Sequence, residues 1–253
     1  MKYRITFLSD LHNRHMHWEL KMKEHNALDE VYKSDVIVFC GDMSSRGTKE
    51  EVETFMNWFN EFAPGIKKIF IAGNHDFFFD YKWKPRTEDG FYRHKRTSTK
   101  EDVEEMLLKY SKLEYLCDSG TEYRGLKFWG TPVSPWFHDW AFNRWEDEIG
   151  KHWDLIPEDT DVLITHTPPY MKLDKIDPRF RRYNKLDNVG CPILMAKVSD
   201  TKPLIHAFGH IHEGYGMIPT FSGFEDDIVY INASNLNDKY EPVNPPVIFD
   251  FEK

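Results

Sequence analysis

The chain has 253 residues, of which 40% are hydrophobic and 30% charged, with a net charge of −9. That length is enough for one domain spanning 1–253 with a substantial core, and the acidic balance speaks against an extended nucleic-acid-binding face, which needs clustered Lys and Arg. Cys40, Cys117 and Cys191 are scattered, as expected of reduced thiols in the cytoplasm; no signal peptide precedes Asp10, and no apolar run is long enough to span a membrane.

Tyr3 to Leu8 reads as a strand and ends in Ser9-Asp10-Leu11-His12. A helix is expected from about Trp18 to Val31. Val36 to Cys40 is apolar throughout, as a doubly covered strand should be, and ends in Gly41-Asp42. Thr48 caps a helix that carries Val52, Phe55, Met56, Phe59 and Phe62 on one face, and Pro64-Gly65 stops it. Ile69 to Ala72 is the next strand, ending in Gly73-Asn74-His75-Asp76. This β-α-β-α-β order predicts a layered α/β domain with parallel strands.

Lys82 to Lys100 holds seven Lys or Arg against two acids and reads as a basic loop. Thr99 caps a helix running to about Tyr110. Short strands near Tyr115, Glu122 and Phe128 suggest a meander. Trp136, Phe137, Trp140, Phe142 and Trp145 form an aromatic cluster, expected in the core or a packed loop rather than as a stacking platform. Asp161 to Thr165 ends in His166, and a second basic loop covers Lys172 to Lys185. A helix over Pro192 to Val198 leads to the strand Leu204 to Phe208, which ends in Gly209-His210-Ile211-His212; His206, inside it, reads as a core histidine. Ile228 to Ile231 and Val247 to Phe251 are the last strands.

Five apolar runs thus end in metal-ligating side chains. Asp-x-His and His-x-His place both ligands on one side of an extended segment, so each pair is expected to grip one site. Two carboxylates, an amide oxygen and four imidazoles suit Mn, Fe, Zn or Co better than Mg or Ca. Seven donors exceed one ion's needs and fit two ions sharing a carboxylate, roughly 3.5–4 Å apart.

In this order, with Trp136-Phe137, Leu155-Ile156-Pro157-Glu158, His166-Thr167-Pro168-Pro169, Phe208 to Gly216, Ile231 to Ser234 and Asn244-Pro245-Pro246, the chain resembles the calcineurin-like metallophosphoesterase superfamily. More narrowly, it is similar to the small metallophosphoesterase-domain proteins related to class III cyclic-nucleotide phosphodiesterases. The resemblance implies an α/β fold, a four-layer sandwich of two facing mixed β-sheets flanked by helices. It implies that Asp10, His12 and His212 hold one metal, that Asn74, His166 and His210 hold the other, and that Asp42 bridges them. The two ions, divalent or trivalent, are expected to be Mn first, with Fe, Zn or Co as alternatives. His75 would assist the leaving group and Asp76 would orient its imidazole. The implied activity is a phosphodiesterase for small phosphodiesters or cyclic nucleotides, with hydroxide attack in line. A metal-dependent nuclease or a protein-phosphatase-like phosphomonoesterase is the alternative. Ser45 stands where protein phosphatases carry the Asp that pairs with the catalytic His, which weakens the last reading. Arg46 remains a candidate phosphate clamp.

Overall fold

Strands that are apolar at every residue must be covered on both faces, and two sheets packed face to face with helices outside meet that demand. The computed structural model describes residues 1–84, 98–179, 187–219 and 227–253. In chain order, β1 (Lys2–Leu8), α1 (His15–Glu24), β2 (Val36–Cys40), α2 (Lys49–Glu61), β3 (Lys67–Ile71), α3 (Lys100–Lys109) and β4 (Leu113–Tyr115) come first. They are followed by β5 (Ser119–Tyr123), β6 (Leu126–Thr131), the short pair β7 (Ser134–Pro135) and β8 (Asn143–Arg144), α4 (Glu146–Trp153), β9 (Val162–Thr165) and α5 (Pro192–Thr201). The last elements are β10 (Ile205–Phe208), β11 (Gly216–Ile218), β12 (Val229–Asn232) and β13 (Val247–Glu252).

One sheet has the order β13-β1-β2-β3-β4, and the other β11-β12-β10-β9-β6-β5. Both are parallel at the centre. Antiparallel strands finish them: β13 against β1, β11 against β12 and β5 against β6. Side-chain alternation then separates three cores. Ile5, Phe7, Val36, Val38, Ile69 and Ile71 face Phe128, Val162, Ile164, Ile205, Ala207 and Ile231 between the sheets. On the other side of the first sheet, Ile37, Phe39 and Phe70 pack with Trp18, Phe55 and Phe59 of the helical layer. Leu163, Phe208 and Tyr230 pack with Ile149 and Trp153 of α4 and Leu194 and Val198 of α5. The four layers expected from the resemblance are present.

Thr48 and Thr99 cap α2 and α3 as expected. The Thr99 cap is reciprocal: Asp102 N–H donates to Thr99 Oγ1 at 3.1 Å, and Thr99 N–H donates to Asp102 Oδ2 at 3.0 Å. Three expectations are corrected. First, α1 starts at His15 and ends at Glu24, because Asn26 turns left-handed (φ 55) and breaks the ladder well before Val31. Second, the strands near Tyr115, Glu122 and Phe128 do not form a meander: β4 completes the first sheet beside β3, while β5 and β6 open the second. The chain passes between sheets where Asp118 takes a left-handed φ of 48. Third, α4 was not expected; of its eight residues only Ile149 and Trp153 are buried, too thin a stripe to stand out beside the aromatic cluster.

Candidate metal centre

The residues that follow β1, β2, β3, β9 and β10 meet at one end of the sandwich, at the carboxyl ends of parallel strands. They do so through turns. Asp10 (φ 54), His12 (φ 40), Asp42 (φ 58) and His210 (φ 70) are all left-handed, a conformation that costs about 1–3 kcal/mol for a residue with a Cβ. Neighbouring loops hold them there. Asp10 N–H donates to Gly41 O (2.9 Å), His12 N–H to Asp42 O (3.0 Å) and Asn13 N–H to Met43 O (2.8 Å), lacing the β1 loop to the β2 loop. Strand alternation therefore does not explain the Asp10–His12 pairing. It also misplaces His210 and His212, which part and serve different clusters.

The carboxylates of the site tie loops together too, Asp10 across the two sheets and Asp42 within the first. Asp10 accepts the His210 N–H at 3.0 and 3.1 Å and the Ser234 hydroxyl at 2.9 Å. Asp42 Oδ1 accepts the His75 N–H at 2.8 Å. Two glycines make room for these approaches: a Cβ on Gly209 would lie 2.1 Å from Asp10 Oδ2, and one on Gly73 would lie 2.3 Å from Asp42 Oδ1.

Three groups of ligand atoms lie within 4.8 Å of one another: Asp10, His12 and His212; His12, Asp42 and His75; Asp42, His166 and His210. His12 Nε2 is 3.2 Å from His212 Nε2, and His212 Nε2 is 3.4 Å from Asp10 Oδ1. Asp42 Oδ2 lies between the groups, 3.6 Å from His12 Nε2 and 3.4 Å from His166 Nε2. Asn74 Oδ1 lies 2.9 Å from His166 Nε2. Asp10, His12, Asp42, Asn74, His166 and His212 are buried.

Backbone carbonyls fix the tautomers. His166 Nδ1–H donates to Cys40 O and His212 Nδ1–H to Asn237 O, each at 2.9 Å. In neutral imidazoles this leaves both Nε2 lone pairs aimed inward. Lone pairs then face lone pairs: His166 against Asn74 and Asp42, His212 against Asp10. A buried set so rich in converging acceptors attracts cations, so the residues fit a pair of metal ions. Titration expresses the same demand. Burial works against ionised Asp42, yet the surrounding His166, His75 and His12 hold it well below the usual carboxylate range. Burial likewise opposes a charge on His166, but Asp42 raises it to about 9. His12, by burial and by His75, falls to about 3.

Asp76 does not orient the His75 ring, as the resemblance implied. Its carboxylate is taken up by the backbone. Oδ2 accepts N–H from Gly73 (2.8 Å), Asp42 (2.9 Å) and Met43 (3.3 Å); Oδ1 accepts the Ser44 N–H (3.0 Å) and hydroxyl (2.6 Å). It is a buried pin for the Asp42 turn. The His75 ring is set otherwise: Nδ1–H donates to Ser45 O at 2.9 Å, His12 meets the ring edge-on at 4.6 Å, and Trp140 lies against it at 4.3 Å. This leaves Nε2 toward the site, 4.0 Å from Asp42 Oδ2.

Arg46 is exposed, and its backbone N–H donates to Glu51 Oε2 at 2.7 Å. His206 is fully buried, as expected of a core residue; its Nε2 donates to Thr165 Oγ1 at 2.9 Å. Of the basic loops, 85–97 and 180–186 lie outside the described residues, Arg181 and Arg182 among them. Arg179, in the second basic loop, pairs with Asp177 and Asp238 at 2.9 and 2.8 Å.

Several contributors escaped sequence reading. Cys40, Ser45 and Asn237 act through carbonyls, which every residue type has. Ser234 follows β12 and falls within the Ile231 to Ser234 motif that carried the resemblance, but its hydrogen bond to Asp10 was not read from it. Tyr240, left-handed at φ 60, packs edge-on to His12 at 4.9 Å and His212 at 5.1 Å.

Two facing mixed sheets with an acceptor-lined ligand cluster at their strand ends define a protein built to hold metal ions. The family model for calcineurin-like phosphoesterases matches residues 3–214, and the chain belongs to that family. Over 233 residues it is 36% identical to human metallophosphoesterase domain-containing protein 1, a match covering 89% of this chain and 68% of that one; the mouse protein matches equally. The crystal structure of TT1561 from Thermus thermophilus shares the fold at a TM-score of 0.56 and 14% identity, covering 92% of this chain and 89% of that one. Among the described residues, no helix is long and apolar enough to cross a membrane.

Proposed function

We propose that this chain is a two-metal phosphodiesterase for small phosphodiesters or nucleotides. One observation carries the reading: a single buried carboxylate oxygen, Asp42 Oδ2, faces His12 at 3.6 Å and His166 at 3.4 Å. Asp10, His12 and His212 would hold one ion, Asn74, His166 and His210 the other, with Asp42 between. Mn is the ion expected first, with Fe, Zn or Co as alternatives that the same mixed set of imidazole and oxygen donors accepts. Bound ions draw charge from phosphoryl oxygens and lower the pKa of water.

The chain's own residues do the rest. Asp42 is fixed by the His75 N–H, so the carboxylate and the His75 ring are set as a unit. His75 Nδ1 is tied to Ser45 O, and Nε2 is free to hold a proton and give it to the departing oxygen. Arg46, exposed beside this loop, would meet a phosphoryl oxygen from the open side. The net charge of −9 supports a small substrate over an extended polyanion. Three unpaired thiols support a cytoplasmic location.

Metal-stripped protein reloaded with Mn²⁺ should be assayed on bis(4-nitrophenyl) phosphate, 4-nitrophenyl phosphate and single-stranded DNA. A kcat/KM for the diester at least tenfold above that for the monoester, with the DNA left intact, is expected. Preference for the monoester, or cleavage of the DNA, would overturn the reading.

A further inference from the structure

A cavity of about 310 Å³ lies beyond Trp140, whose ring also contacts His75. Trp83, Trp136 and Trp140 line it, with the cations Lys82, Lys84 and Arg144 and the carboxylates Asp80 and Asp139. Trp140 is a shared wall, since its ring lies 4.3 Å from the His75 ring at 31°. The segment carrying these side chains is tied to the ligand loop. Ala141 N–H donates to Asn74 O at 3.1 Å, and Phe142 N–H donates to Asp80 Oδ2 at 2.8 Å. Trp136 is braced from outside the cavity lining by Trp145, stacked on it at 4.2 Å and 14°. Among the described residues its ring contacts are with Trp145 and His138, not with His75.

We propose that this cavity is the leaving-group subsite and takes a planar aromatic ring, aryl or heterocyclic. The proposal rests on the phosphodiesterase reading above. His75 presents Nε2 toward Asp42 and one side of its ring to Trp140. A group that departs toward His75 therefore emerges beside Trp140. A volume near 310 Å³ stands at the small end of ligand sites, suited to one ring system and not to an extended chain. Indole walls bind flat rings by stacking. Lys82, Lys84 and Arg144 outnumber Asp80 and Asp139 in the lining, with Arg144 3.9 Å from Asp80, a modest positive balance that suits an oxygen gaining negative charge as its bond to phosphorus breaks. In that step the phosphorus–oxygen bond to the ring breaks and its electron pair stays on the departing oxygen. That oxygen takes a proton from His75. Water supplies the new phosphorus–oxygen bond, and its released proton restores His75 through solvent.

Binding and turnover should be measured separately. Two phosphonates in which a methylene replaces the leaving oxygen, methyl benzylphosphonate and methyl ethylphosphonate, should be titrated calorimetrically into Mn²⁺-loaded protein. The wild type should bind the benzyl compound about tenfold more tightly, the scale of one ring stacked on indole. Trp136→Ala should reduce that preference to under threefold. In turnover, Trp136→Ala should raise KM for an aryl methyl phosphate about tenfold, and leave a fluoroalkyl methyl phosphate of matched leaving-group acidity within twofold. Trp140→Ala, which also touches His75, should lower kcat on both. Equal affinity for the two phosphonates in the wild type would overturn the subsite, as would a preference that survives Trp136→Ala or an equal loss on both diesters. A ring preference without turnover of either diester would retain an aromatic subsite and remove the phosphodiesterase reading instead.

Discussion

Replacing Asp76 by Asn changes one atom type at the centre of five hydrogen bonds. The carboxylate accepts from Gly73, Asp42 and Met43 on one oxygen and from the Ser44 N–H and hydroxyl on the other. An amide has one oxygen. Its better orientation keeps that oxygen on the group of three and turns NH2 toward Ser44. The Ser44 N–H is then buried without an acceptor, at a cost of about 1–3 kcal/mol. The other bonds lose a charged acceptor, and each weakens by about 0.5–1 kcal/mol. Against this, Asn escapes the cost of a buried charge: burial and the neighbouring Asp42 already push Asp76 up to about 7. The net is about 3 kcal/mol, which for a chain of this size lowers Tm by about 10 °C. Thermal unfolding of metal-free wild type and Asp76→Asn measures it directly. The Asp42 turn should loosen with it, so metal affinity should fall, while the relative rates on good and poor leaving groups stay unchanged. Unaltered stability, together with a selective loss on poor leaving groups, would place Asp76 behind the His75 imidazole and refute the reasoning.

His75→Ala should keep its metals and lose about 10²- to 10⁴-fold in kcat on an alkoxide leaving group, and less on nitrophenolate, which needs no proton; paired metal analysis and kinetics check this. Asn74→Ala should weaken one ion site, with activity partly restored by excess Mn²⁺, as read from activity against metal concentration. His206 gives a pH prediction. Burial lowers it to about 3 from an ordinary value near 6.5, so the unfolded chain binds the proton first. Its contribution to stability is complete above pH 6.5 and is lost as pH falls toward 3, by about 1.4 kcal/mol per unit. His206→Gln should flatten stability against pH in that range, and identical slopes in urea titrations of both proteins would contradict it.

Much of the fold was legible because apolar runs such as Val36 to Cys40 need cover on both faces, as in a layered α/β domain; that a second sheet supplies one side of the cover came only from the resemblance. The ligand residues were legible because metal-ligating side chains ended apolar strands at five places. What brings them together was not. Left-handed Asp10, His12, Asp42 and His210 have no compositional mark, and their strain is sustained by loops far apart in sequence. The carbonyls of Cys40, Ser45 and Asn237 orient three histidines and are invisible in a string of side chains. Asp76 was misread for a related reason: a carboxylate beside a histidine in sequence turned inward to its own backbone. The meander expectation failed because strand spacing does not tell which of two sheets a strand joins.

The central claim is that Asp42 joins two ion sites, and counting metal per chain tests it most directly. Protein stripped of metal, reloaded with Mn²⁺ and freed of excess should carry two ions per chain by plasma mass spectrometry. Asp42→Ala should carry one or none, remain folded by circular dichroism, and lose nearly all diester hydrolysis. One ion or none in the wild type, or two ions with full activity in Asp42→Ala, would contradict the account.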